Sequence, residues 1–125
     1  MATILVIDDE KGIRDVLKTS LELAGHDVLV AANGKDALTR GEQGPIHVVI
    51  TDIFMPEQDG FETIMHLKKT APQIKIIAIS GGGYFNPENA LKTAEHLGAH
   101  YGFNKPFNLQ DLIEKIDSML KERPA

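Results

Sequence analysis

Cysteine is missing from all 125 residues. Its absence excludes disulfides, thiolate-bound zinc, iron–sulfur clusters and thiol nucleophiles. Basic charge is in deficit: 13 Lys and Arg stand against 18 Asp and Glu, for a net charge of −5. Direct nucleic-acid binding needs a basic footprint, so it is not expected. No apolar run approaches the ~20 residues that cross a bilayer, so no membrane contact is expected. Met1-Ala2-Thr3-Ile4 has no basic segment ahead of its apolar stretch, unlike a secretory signal. Repeats, linkers and low-complexity stretches are lacking as well. These absences predict an acidic, cytoplasmic chain. Its length suits one domain of ~100–150 residues, predicted over residues 1–125 with an ordered core over about 3–121.

What is present alternates between short apolar runs and amphipathic segments. Ile4-Leu5-Val6-Ile7 reads as a strand buried on both faces. Ile13, Val16, Leu17, Leu21 and Ala24 recur at helical spacing, and Gly25 stops that helix. Further strands are predicted at 27–31, 47–51, 75–79 and 101–104, and further helices at 35–42, 61–70, 87–97 and 109–120. Five strand–helix units imply parallel pairing with right-handed crossovers and helices on both faces. A closed eight-unit barrel needs about 250 residues, so the sheet is open and doubly wound.

Ligands of open α/β sheets sit at the carboxyl ends of the strands. Here those ends carry Asp8-Asp9, Asp52, Ser80 and, just beyond the fifth strand, Lys105. Converging carboxylates repel unless a cation neutralises them or they take up protons. All-oxygen donors suit Mg²⁺, which binds through a few carboxylates plus phosphate oxygens. Lys and Ser beside such an ion form a device for holding a phosphoryl group, and an aspartate can be the nucleophile.

These residues lie in motifs that resemble the receiver domain of bacterial two-component response regulators, in the manner of single-domain chemotaxis regulators. The motifs are Val6-Ile7-Asp8-Asp9-Glu10, Asp52-Ile53-Phe54-Met55-Pro56 with Asp59-Gly60, Ile79-Ser80-Gly81, Gly98-Ala99 and Lys105-Pro106-Phe107. The resemblance spans the whole chain. It implies a three-layer, flavodoxin-like (βα)5 fold with five parallel strands in the order 2-1-3-4-5. It implies that Asp52 accepts a phosphoryl group from a phosphohistidine, on a histidine kinase or a histidine phosphotransfer protein. Asp9 would bind Mg²⁺ directly, Asp8 largely through water, with Asp52 and the Phe54 carbonyl as further ligands. Ser80 and Lys105 would contact phosphoryl oxygens, and Pro106 would follow a cis peptide. The chain would catalyse only its own phosphorylation and dephosphorylation. It would signal to a downstream protein or to an output domain missing from this sequence.

Two features depart from the family pattern. The position that usually carries Tyr or Phe, three residues before the lysine, is Gly102. A bulge that re-aims Tyr101, a different coupling residue, and the absence of aromatic coupling are all open. The Gly81–Pro87 loop is long and glycine-rich, with Tyr84 and Phe85 on it. It is expected to be the main reporter of phosphorylation. The five histidines, His26, His47, His66, His96 and His100, are expected in solvent. The rival readings are a haloacid dehalogenase-type phosphatase, for which Asp8-Asp9-Glu10 is a loose match, and a receiver fold acting as a phosphorylation-independent interaction module.

Overall fold

The computed structural model describes residues 2–41, 45–53, 60–80, 87–105 and 107–121. Strands β1 (Thr3–Ile7), β2 (Asp27–Ala31), β3 (Val48–Asp52), β4 (Lys75–Ser80) and β5 (Tyr101–Asn104) alternate with helices α1 (Lys11–Leu23), α2 (Gly34–Gly41), α3 (Gly60–Thr70), α4 (Pro87–Leu97) and α5 (Leu109–Lys121). All strand pairs are parallel, in the order β2-β1-β3-β4-β5.

Side-chain alternation splits the core in two. Ile4, Val6, Val48, Ile50, Ile77 and Ile79 pack with Leu17 and Leu21 of α1 and Leu112, Ile116 and Met119 of α5. Leu5, Ile7, Val49, Ile76 and Ala78 pack on the opposite side with Ala37, Ile64 and Ala94 of α2, α3 and α4. Strands buried on both faces must be apolar throughout, which is why they read as continuous runs. The helical stripes are narrower than the sequence pattern suggests. Val16, counted there among the apolar positions, is 56% exposed, and Met65 of α3 is 46% exposed. The buried residues of α1 are Leu17 and Leu21, one turn apart.

Helix ends follow local chemistry. Asn33 and Asn108 side chains accept the Asp36 and Asp111 N–H groups at the starts of α2 and α5. Gly25, at φ 97°, closes α1 while the His26 N–H bonds the Leu21 carbonyl at 3.1 Å. This left-handed turn favours glycine, which carries no Cβ.

Two of the five histidines are not solvated: His26 is buried and His100 is partly buried, while His47 is exposed although its ring accepts a backbone N–H. His26 Nδ1 accepts the Ala2 N–H, His47 Nδ1 that of Thr3, and His100 Nδ1 that of Ile76. They sit at the amino ends of the strands and serve backbone donors that the ladder leaves over. For His100 an accepting Nδ1 requires the neutral ring. Burial, and then the charges of Lys75 and Lys68, hold His100 below the ordinary imidazole value of 6.5. The unfolded chain therefore binds this proton first, and the contribution of His100 to stability is lost as pH falls below 6.5. Urea titrations between about pH 7 and 5.5 should show a steeper loss for the wild type than for His100→Asn, which keeps an acceptor but does not titrate. Parallel slopes would contradict this.

Candidate functional site: an acidic pocket at the strand ends

Asp8 and Asp52 share alternation parity with the α1/α5-facing residues of β1 and β3, which sets a common face, and parallel pairing of β1 with β3 puts both at the same end of the sheet. Asp8 directly follows β1, and its N–H bonds the Ala31 carbonyl of β2. Asp52 is the last residue of β3 rather than the first of a loop, and Ser80 likewise ends β4. Being held within the ladder buries all three side chains: Asp8, Asp52 and Ser80 are at most 4% exposed.

Lys105 completes the group. Its backbone N–H continues the ladder to the Ser80 carbonyl at 2.7 Å. Its ammonium donates to Asp8 Oδ2 at 2.9 Å and Asp52 Oδ2 at 3.2 Å, and lies 3.5 Å from Glu10 Oε1. Burial by itself would lower the Lys105 pKa. The hydrogen bond to Asp8 and the charges of Asp52 and Asp8 outweigh burial and raise it. Ser80, whose carbonyl takes the Lys105 N–H, carries a buried hydroxyl with no hydrogen-bond partner among the described residues.

The carboxylate oxygens of Asp8, Asp9 and Glu10 lie within 4.8 Å of one another, with Asp9 and Glu10 exposed. This hard, all-oxygen, cysteine-free donor set fits a magnesium ion. Glu10 was not assigned from sequence, although its place directly after Asp8-Asp9 was the available signal. Asp52 stands across Lys105 from this trio. Phe54, Met55, Pro56, Asp59, the segment 81–86 with Tyr84 and Phe85, and Pro106 lie outside the described residues.

Gly60 opens α3 against the end of β3, and its N–H bonds the Ile53 carbonyl at 2.8 Å. A Cβ here would collide with the backbone of Asp52 and Ile53. Gly60→Ala should lower the urea-unfolding free energy by about 1–3 kcal/mol, the range for overpacking. An unchanged midpoint would refute this.

β5 pairs with β4 without interruption from Tyr101 to Asn104, which removes the bulge reading. Tyr101 and Phe103 pack on the α1/α5 side, and the Lys115 ammonium sits 4.1 Å from the Tyr101 ring centroid. By alternation Gly102 and Asn104 fall on the other face of β5. A different coupling residue, or none of aromatic type, remains.

Residues 4–117 match the family described as the response regulator receiver domain. The chain is 36% identical over 123 residues to the response regulator receiver protein CpdR of Brucella abortus, covering 96% of this chain and 98% of that protein. It is also 36% identical over 127 residues to the DNA-binding transcriptional regulator NtrC of Rhizobium meliloti, covering 99% of this chain but 26% of that one. The chain spans about a quarter of the length of the NtrC regulators it matches. Among solved structures, a CheY-like receiver domain protein from Methanospirillum hungatei is 33% identical, with a TM-score of 0.88 over 98% of this chain and 95% of that one.

Proposed function

This chain belongs to the response regulator receiver family of two-component systems, and we propose that Asp52 is its phospho-acceptor. The observation that carries the proposal is Lys105, which bridges the buried Asp8 and Asp52 carboxylates and whose backbone bonds Ser80, a residue with a buried hydroxyl that has no partner among the described residues. An Asp52 carboxylate oxygen attacks phosphorus in line. The new O–P bond forms as the P–N bond of a donor phosphohistidine breaks and the imidazole leaves. Lys105 holds the acceptor oxygen beforehand and offers its donors to a phosphoryl oxygen afterwards. Ser80 donates to another. Asp8, Asp9 and Asp52, with the Phe54 carbonyl, would hold a magnesium ion, which when bound supplies neutralising charge for the transferring group. Glu10 adds a further oxygen to that set.

The donor is a histidine kinase or a histidine phosphotransfer protein, and the product signals to a downstream protein or to an output domain. The family is a signalling phospho-acceptor, and this chain turns over only its own aspartyl phosphate, in the cytoplasm. Among the described residues no helix is long and apolar enough to cross a membrane.

Ser80→Ala tests this reading. In the unmodified chain it should change stability by less than about 1 kcal/mol, because the hydroxyl lost bonds no described residue. With beryllofluoride as a phosphoryl mimic, the NMR shift changes around residue 80 seen in the wild type should largely vanish in the variant. A variant that responds like the wild type would remove Ser80 from the site. A wild type that does not respond at all would favour the phosphorylation-independent module.

A further inference from the structure

We infer that Arg14 is a positioning residue that sets the Asp8–Glu10 turn in the shape that offers the Asp9 and Glu10 carboxylates to a divalent cation. The inference rests on the reading of that turn as a cation site. Arg14 is the fourth residue of α1 and grips both ends of the turn. Its guanidinium donates from Nη1 to the Asp8 carbonyl at 2.6 Å, and its backbone N–H bonds the Glu10 carbonyl at 3.1 Å. Nothing else described does the first job. The Asp8 side chain is committed elsewhere, Oδ1 to the Glu10 N–H at 2.9 Å and Oδ2 to Lys105 at 2.9 Å. The start of α1 has no side-chain cap, and Glu10 at the N-cap makes no such bond.

Without the guanidinium, the peptide linking Asp8 to Asp9 loses the hydrogen bond that fixes its carbonyl. That peptide also sets the direction of the Asp9 side chain, so its rotation separates oxygens now within 4.8 Å. A hydrogen-bonding partner behind a ligand commonly matters this way to metal affinity. Arg14 also carries positive charge close to the trio, which by Coulomb's law opposes cation binding. Orientation and charge therefore predict opposite signs when Arg14 is removed.

Magnesium titration of the full chain, read by backbone NMR shifts of residues 8–14, separates the two. Arg14→Ala and Arg14→Gln should each weaken magnesium binding by about tenfold. Arg14→Lys, which keeps the charge and one donor, should recover part of the loss. In metal-free buffer the Glu10 N–H should exchange faster in Arg14→Ala than in the wild type. Equal or tighter magnesium binding by a folded Arg14→Ala or Arg14→Gln, or unchanged Glu10 exchange, overturns the inference and leaves the cation site standing. A variant that melts earlier but binds magnesium as the wild type does would make Arg14 merely structural and also overturns it. A wild type that binds no magnesium overturns both the inference and the site.

Discussion

Asp52→Asn should abolish phosphoryl uptake. Incubated with magnesium and acetyl phosphate, the wild type should gain one phosphoryl group by intact-mass spectrometry, and alkali should remove it, as it does an acyl phosphate. The variant should gain none, because an amide oxygen is not a competent nucleophile. The other carboxylates are poor substitutes. Asp8 is committed to Glu10 and Lys105, and Asp9 and Glu10 are exposed at the rim. The fold should survive the change, since Lys105 keeps its 2.9 Å bond to Asp8. Chelating the metal should suppress the wild-type reaction, leaving the incoming phosphate to face an acidic pocket. Uptake by Asp52→Asn at the wild-type rate would move the acceptor elsewhere.

Lys105→Met should be the most destabilising change at this site. It leaves the buried carboxylates of Asp8 and Asp52 without the ammonium that pairs them. Removing one partner of a buried ion pair costs about 3–5 kcal/mol, which urea unfolding at neutral pH and without metal should show. Magnesium should restore part of the loss. In the wild type the pairing also depends on alkaline pH. The folded Lys105 pKa is raised, so its pairing contributes fully below 10.5 and fades only as pH rises above that value. If Lys105→Met unfolds at the wild-type urea midpoint without metal, the pairing is not a structural element of the pocket.

The strands were readable because each is a short apolar run ended by a polar residue, as at Ile7-Asp8, Thr51-Asp52 and Ile79-Ser80. Those same ends marked Asp8, Asp52 and Ser80 as neighbours once the sheet was known to be parallel. His26 and His100 were not legible, for the opposite reason: they are isolated and carry no periodic signal, and their partners Ala2 and Ile76 are backbone donors 24 residues away. Val16 was misassigned because helical spacing places a residue near a stripe without setting the width of the stripe.

Fold class, parallel pairing and the rim on which the polar residues collect were determined by the sequence itself. They depend on period, run length and chain length, which are local or additive properties. Tertiary structure alone decided that Lys105 reaches across 97 residues to Asp8. It also decided that β5 runs unbulged, with Tyr101 turned toward α5, and that the Ser80 hydroxyl is buried without a described partner. These depend on register and on how packing brings residues far apart in the chain to within a few ångströms of one another. No local pattern encodes such distances, because only the packed sheet and its helices set them.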